Sequence, residues 1–399
     1  MWEDEININE VKEIRSKTTV YLGVGAIKKI YDIAENLKKS GINKVIVMTG
    51  KGAYKKTGAW DYVEDALKKS NIDYLLYNKV TPNPTVDEVD DAAKLGREFG
   101  AQAVIGIGGG SPIDASKSTA ILLSYTDKTA RDIYEFTFTP EKAAPIVAIN
   151  LTHGTGTEAD RFAVVTIPEK GFKPAAAYDC LYPIYAIDDP QLMVGLPRNQ
   201  TLYVSVDAVN HVFEAATSKV RSPYTVLLAK ETIRLVSKYL PIVLENPQDL
   251  KARYYLTYAS LIAGIAFDNG LLHFTHALEH PLSGVNPKVI HGHGLGILLP
   301  SVIKVVYPAV PEVVADIFSD VLPELKGTKD ETDKAANGVK NWLSNLGINE
   351  GLRDLGFTKA DLDKITELVF TTPSLDLLLS MAPVDATKEV VKEIYTNAF

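Results

Sequence analysis

Two different hydrophobic periodicities divide the 399-residue chain. Over roughly the first half, short β-branched apolar runs recur between charged stretches: Val45-Ile46-Val47-Met48, Tyr74-Leu75-Leu76-Tyr77, Ala103-Val104-Ile105-Gly106-Ile107 and Pro145-Ile146-Val147-Ala148-Ile149. The stretches between them, such as residues 86–99, carry their apolar residues at helical spacing, and this alternation predicts a parallel sheet flanked by helices. From Pro197 the pattern changes to long amphipathic stretches, including residues 224–239, 250–267 and 335–346, with few strand-like runs. The second half is therefore predicted to be all-helical. The length exceeds that of one typical core, so the expected organisation is an α/β domain over residues 1–196 followed by a helical domain over residues 197–399.

Composition narrows the function by exclusion. A formal charge of −8 gives no electrostatic reason to expect nucleic acid or an anionic membrane as partner. No apolar run is long enough for a spanning helix, and Met1-Trp2-Glu3-Asp4-Glu5 does not resemble a secretory signal. Cys180 is the single cysteine, which rules out an intrachain disulfide. A cytoplasmic protein is expected.

Two glycine-rich loops follow predicted strands. Gly108-Gly109-Gly110-Ser111-Pro112-Ile113-Asp114 succeeds the run ending at Ile107 and leads into Ala115-Ser116-Lys117. At such a strand-to-helix junction the backbone amides can approach a phosphate and a helix N-terminus points at it. The spacing fits neither a Walker A loop nor G-x-G-x-x-G, and a tight glycine turn would look the same. Thr152-His153-Gly154-Thr155-Gly156-Thr157-Glu158 follows the run ending at Ile149, where an open α/β sheet commonly lines its ligand crevice.

Six of the seven histidines lie between His211 and His293. Asp207 and His211 are spaced i and i+4, as are His276 and His280, while His291-Gly292-His293-Gly294 forms a third cluster. A lone histidine on an apolar helix face is usually a hydrogen-bonded core residue. A carboxylate with two or three imidazoles from separate segments suits a divalent transition metal. Spacing alone does not separate ligands from bystanders, so His273 stays a candidate neighbour.

Taken in order, several segments resemble the iron-containing (group III) alcohol dehydrogenase family. They are Thr81-Pro82-Asn83-Pro84-Thr85, the loop from Gly108 to Asp114 with Lys117, the loop from Thr152 to Glu158, Asp189-Pro190-Gln191-Leu192, Asp207-Ala208-Val209-Asn210-His211, Ala263-Gly264-Ile265-Ala266-Phe267, His276-Ala277-Leu278-Glu279-His280-Pro281-Leu282, and His291-Gly292 leading to Leu298-Leu299-Pro300. The resemblance implies an N-terminal dinucleotide-binding α/β domain, a C-terminal helical metal-binding domain, and a homodimer. Carried over residue by residue, it makes Asp207, His211, His276 and His291 the metal ligands. Counting back from Leu298-Leu299-Pro300 favours His291 over His293. His280 takes a catalytic role in proton relay or substrate positioning. Gly109, Gly110 and Ser111 would hold a pyrophosphate, with Asn83, Asp114, Thr152, Thr155 and Lys173 lining the rest of the nucleotide cleft.

The implied reaction is hydride transfer between a small alcohol or aldehyde and a nicotinamide nucleotide, with Fe²⁺ expected and Zn²⁺ equally suited to the donors. Gly50 stands where NAD-selective members carry an Asp, and Lys51 follows it; together they imply a preference for NADP over NAD. Asp160-Arg161 places charges where the family commonly has smaller or apolar residues. Two alternatives remain open. One is a glycerol, glycerol-1-phosphate or polyol dehydrogenase, or a dehydroquinate synthase, of the same architecture; the other is a nucleotide- and metal-binding protein without turnover.

Overall fold

In the computed structural model, which describes residues 2–399, the apolar runs lie side by side in one six-stranded parallel sheet. The strands are β1 (Thr19–Leu22), β2 (Lys44–Thr49), β3 (Asp73–Tyr77), β4 (Ala103–Gly108), β5 (Ile146–Asn150), β6 (Phe162–Val164), β7 (Ala175–Ala177) and β8 (Tyr185–Asp188). The sheet order is β1-β8-β5-β4-β2-β3, and β6 and β7 form a separate antiparallel pair. Helices α1 (Lys29–Lys39), α2 (Ala53–Lys56), α3 (Ala59–Lys69), α4 (Val86–Phe99), α5 (Gly110–Ser124) and α6 (Ala130–Tyr134) connect the strands. Along β2 the side chains alternate between two cores: Val45 and Val47 pack with Ile30, Ile33 and Leu67 on one face, and Ile46 and Met48 with Val89, Ala93 and Ile121 on the other. Burial on both faces is why the central strands read as continuous apolar runs.

The predicted strands and the helix over residues 86–99 are all present. Sequence patterning missed β1, β8 and the β6–β7 pair. β1 is an edge strand with no fully buried residue, β8 is central but only four residues long and ends in Asp188, and β6 and β7 have three residues each, so none of these imposes a long apolar run. Thr85 begins α4 with a capping box, its hydroxyl accepting from Glu88 N–H and the Glu88 carboxylate accepting from Thr85 N–H.

No strand follows β8 among the described residues. The helices there are α7 (Arg198–Thr217), α8 (Pro223–Glu245), α9 (Leu250–Gly270), α10 (Phe274–Val285), α11 (His291–Val306), α12 (Pro311–Ile317), α13 (Thr332–Leu346), α14 (Asp361–Thr371), α15 (Leu375–Met381) and α16 (Lys388–Asn397). Every residue of α7 from Thr201 to Thr217 is buried, as a helix enclosed on all sides by α8, α9 and α11 must be. Among the described residues no helix is long and apolar enough to cross a membrane.

The two halves meet through glycine. Gly156 has φ +64° and its backbone lies against Gly264 of α9; a Cβ on Gly264 would stand 2.4 Å from the Gly156 carbonyl oxygen. That approach fixes the loop after β5 against the helical half and tolerates no side chain at either position. Beneath the loop, Lys117 is completely buried and donates to Thr157 Oγ1 (2.9 Å), to the Asp160 carbonyl (3.0 Å) and Oδ1 (2.9 Å), and to the Phe162 carbonyl (2.7 Å). Asp160 therefore pairs with Lys117, although burial, only partly offset by that ammonium, pushes the Asp160 pKa up to about 7. Arg161 is likewise committed, through Asp268 at 3.0 Å and Asp179 at 3.4 Å.

Close by, Glu158 and Asp188 are fully buried beside one another. Asn150 Nδ2 donates to Asp188 Oδ1 at 2.9 Å, and the Glu158 carboxyl faces Asp188. Burial, and for Glu158 the neighbouring Asp188 carboxyl, raise both pKa values, that of Asp188 to about 7 and that of Glu158 well above the usual carboxylate range. Carboxyls held protonated in the fold but ionised in the unfolded chain contribute stability below their unfolded pKa, and that contribution is lost as pH rises through the folded pKa. The denaturation midpoint is therefore expected to fall between pH 5 and pH 8, and Glu158→Gln to flatten the dependence. Identical slopes for variant and wild type in urea titrations across that range would contradict this.

Candidate metal and nucleotide site

A cavity of about 790 Å³ opens between the two halves, and every residue to which the resemblance gives a metal, cofactor or catalytic role lines it, whereas His273 and His293 do not. The α/β half contributes Gly50, Lys51, Asn83, Gly109, Gly110, Ser111, Asp114, Thr152, Thr155 and Lys173; the helical half contributes Asp207, His211, His276, His280 and His291.

At the α/β end the glycines are required by close packing. A Cβ on Gly109 would meet Thr152 Cγ2 at 2.8 Å, and one on Gly110 would meet Thr155 Cγ2 at 2.8 Å. The two loops thus press together, and the N-terminus of α5, which starts at Gly110 with Gly109 as its cap, faces the cavity. Its free amides and the helix dipole suit an anion. Asp114 contributes differently: Oδ1 accepts from Thr157 Oγ1 at 2.7 Å and Oδ2 from Val164 N–H at 3.0 Å, so it ties the cleft wall together. Gly50 and Lys51 follow β2 directly, and a Cβ on Gly50 would have only the Val80 carbonyl oxygen near it, at 3.4 Å.

At the helical end the Nε2 atoms of His211, His276 and His291 surround Asp207 Oδ1 at 3.5, 3.6 and 3.9 Å. Asp207 and His211 come from one face of α7, His276 from α10, and His291 from the first turn of α11. Gly292 allows α11 to start there, since a Cβ would collide with the Tyr203 carbonyl of α7. Asp207 Oδ1 and His276 Nε2 are buried with no hydrogen-bond partner, and orphaned buried polar atoms of this kind call for a missing partner. Asp207, His276 and His291 together could hold a metal ion, and His211 Nε2 faces the same oxygen, so the donors fit a divalent metal with a carboxylate and three imidazoles.

Two acids that sequence reasoning did not assign stand behind these imidazoles. Glu214, fully buried on α7, accepts from the backbone N–H groups of His273 (2.5 Å) and His276 (3.0 Å) and lies 3.3 Å from His276 Nδ1. Its place seven residues after Asp207 and three after His211 puts all three on one helix face, which is the signal that would have found it. Glu279 meets His291 Nδ1. Burial disfavours the charge on Asp207, yet the surrounding imidazoles outweigh it and hold that carboxyl below the usual range. Burial likewise opposes a charge on His276, but Glu214 and Asp207 push its pKa up to about 9. The centre attracts a cation. His280 is buried 5.6 Å, ring to ring, from His291, and burial with the neighbouring Lys173 charge takes its pKa well below the ordinary value.

The remaining histidines are structural. His273 Nδ1 accepts from Phe274 N–H at 2.8 Å and its Nε2 meets Thr217 Oγ1 at 2.8 Å, making it the cap of α10. His293 stacks on Tyr203 with centroids 4.4 Å apart and turns Nε2 toward Glu350 at 3.3 Å. His153 is clasped between Ser205 Oγ (3.2 Å) and Arg253 Nη1 (2.8 Å).

Family models for "Iron-containing alcohol dehydrogenase" and "Fe-containing alcohol dehydrogenase family, C-terminal" match residues 17–190 and 201–399. The chain belongs to the iron-containing alcohol dehydrogenase family. It is an enzyme of the alcohol dehydrogenase class, as the resemblance implied. It is 61% identical, over the whole of both chains, to a long-chain primary alcohol dehydrogenase of Thermoanaerobacter ethanolicus. It is 31% identical to an NADPH-dependent butanol dehydrogenase of Clostridium saccharobutylicum, across 94% of this chain and 95% of that one. Among solved structures, an NADH-dependent butanol dehydrogenase of Thermotoga maritima superposes with a TM-score of 0.90 at 31% identity, across 98% of both chains. The parallel sheet followed by a helical half is this alcohol dehydrogenase fold.

Removing an inward-facing imidazole from this alcohol dehydrogenase should remove metal, whereas removing an outward-facing one should not. His276→Ala is expected to retain little metal after loading and desalting, and His293→Ala to retain close to the wild-type stoichiometry. Elemental analysis checks both, and loss of metal from His293→Ala with retention in His291→Ala would transfer the ligand role to His293.

Proposed function

We propose that the enzyme interconverts primary alcohols and aldehydes with NADP(H), using a divalent metal held by Asp207, His211, His276 and His291. The observation that carries this is the ring of three Nε2 atoms around Asp207 Oδ1, set in one cavity with the glycine-rich loops. Held by these four residues, a divalent metal would supply Lewis acidity toward the alcohol or carbonyl oxygen, and a nicotinamide nucleotide in the cleft would supply the hydride acceptor or donor. Fe²⁺ is the metal the family name points to, and Zn²⁺ suits the same donors. A division near residue 196 fits this reading, because the nucleotide determinants lie before it and the metal determinants after it.

The protein's own groups divide the remaining work. The amides at the start of α5, with Gly109, Gly110 and Ser111, bind the pyrophosphate. Neutral His280 accepts and passes on the alcohol proton or orients the substrate. Phe162, Phe267, Leu271, Leu272, Leu378 and Met381 give the cavity an apolar wall, which favours an alkyl chain over a polyol and agrees with the name of the 61% identical relative. Each methylene buried there is worth about 0.8 kcal/mol, so kcat/KM is expected to rise about three- to fourfold per carbon from ethanol to pentanol. A preference for glycerol over these alcohols would contradict the reading.

The nucleotide preference rests on Gly50 and Lys51. With no carboxylate at the end of β2, a 2′-phosphate meets space, backbone amides and the exposed Lys51 ammonium. Catalytic efficiency should be higher with NADP than with NAD on the same alcohol. Gly50→Asp, for which there is room, should reverse or reduce that ratio, since a carboxylate about 4 Å from a phosphate costs on the order of 1–4 kcal/mol. A wild-type preference for NAD would refute it.

A further inference from the structure

Behind His291 runs a chain of polar contacts that neither substrate nor nucleotide binding explains. Glu279 of α10 is completely buried, and its Oε2 meets His291 Nδ1. The same oxygen accepts from Ser283 Oγ at 3.2 Å and lies 3.7 Å from Lys173 Nζ. Lys173, arriving from the α/β half just before β7, donates to Ser283 Oγ at 2.9 Å. His291 needs such a tether more than its neighbours do. His211 is stacked between Phe267 and His276, at 4.6 Å from each, and His276 has Glu214 behind it. His291 stands at the first position of α11 with its side chain 25% exposed.

We infer that Glu279, held by Ser283 and Lys173, is the positioning residue for His291. It accepts the Nδ1–H, which leaves the Nε2 lone pair facing Asp207, and fixes the ring that helix packing leaves free. It also completes a charge balance: Asp207, Glu214 and Glu279 carry three negative charges against the single positive charge of Lys173, a net of −2 that a divalent cation with neutral imidazoles cancels. Lys173 thereby serves the metal centre as well as lining the nucleotide cleft. The inference rests on the reading of Asp207, His211, His276 and His291 as metal ligands.

The test is titration of metal-free enzyme with Zn²⁺ in competition with a chromophoric chelator, alongside the visible absorption of the Co²⁺-loaded form. Glu279→Gln is expected to keep one site per chain, lower Zn²⁺ affinity about 10–100-fold and alter the Co²⁺ bands; Glu279→Asp should recover part of the loss. Unchanged affinity and bands in Glu279→Gln, with wild type binding Zn²⁺ and His276→Ala not, would overturn the inference and leave the metal reading intact. Abolished binding in Glu279→Gln would make Glu279 a ligand and also overturn it. A wild type that binds no Zn²⁺ would overturn both. Should circular dichroism show Glu279→Gln unfolded, Ser283→Ala decides: a few-fold lower affinity supports the inference, and wild-type affinity overturns it.

Discussion

The architecture depends on ionisable groups being buried where water cannot reach them. Asp207 and Glu214 sit on a helix that is enclosed over nearly its whole length, and an ionised carboxylate taken out of water costs several kcal/mol unless something compensates it. Here the compensation comes from neighbouring helices. α10 brings His276, α11 brings His291, and backbone amides at the start of α10 donate to Glu214. Because most of the compensating groups arrive from neighbouring helices, the packing of the helical half and the chemistry of its centre are one constraint. A shift of α10 or α11 along α7 would leave buried charge unpaired.

The α/β half obeys the complementary rule. Its cleft is built from backbone rather than charge: glycines at 109, 110 and 156 let loops and helices approach more closely than any side chain allows, and the helix N-terminus they expose attracts an anion. The ionisable groups beneath the loop, Lys117 and Asp160, neutralise one another, so the cavity surface near them stays free of uncompensated charge. In the proposed reading, an acidic cluster opposite an anion-attracting loop across one cavity would bring a metal and a dinucleotide within reach of the same substrate.

Much of this was legible in the sequence. β2, β4 and β5 showed because they are buried on both faces over five or six residues, and α4 because of its amphipathic period; β8 is as central but has only four residues and ends in Asp188. The edge strand β1 and the three-residue β6 and β7 were not, because half-exposed or very short strands leave no periodic trace. Among the site residues, the inward-facing set emerged from the histidine clustering and the resemblance. His291 and His293 differ only in three dimensions: two positions apart in the first turn of α11, they point to different sides, one ring facing Asp207 and the other stacking on Tyr203. Glu214 was hidden although its helical spacing was readable, and Glu279 was visible inside its motif without any sign that it faced His291. Asp160 and Arg161 read as charges where the family commonly has smaller or apolar residues, and their partners, Lys117 and Asp268, are too distant in sequence to be visible there.

The central claim is that Asp207 and the three Nε2 atoms around it hold one divalent metal. Anomalous diffraction at the metal absorption edge, from crystals of the metal-loaded enzyme, tests it most directly. A single strong peak per chain is expected within about 2.0–2.2 Å of Asp207 and of Nε2 of His211, His276 and His291. A peak between Glu279, His280 and His291 instead, or none in the cleft, would contradict it.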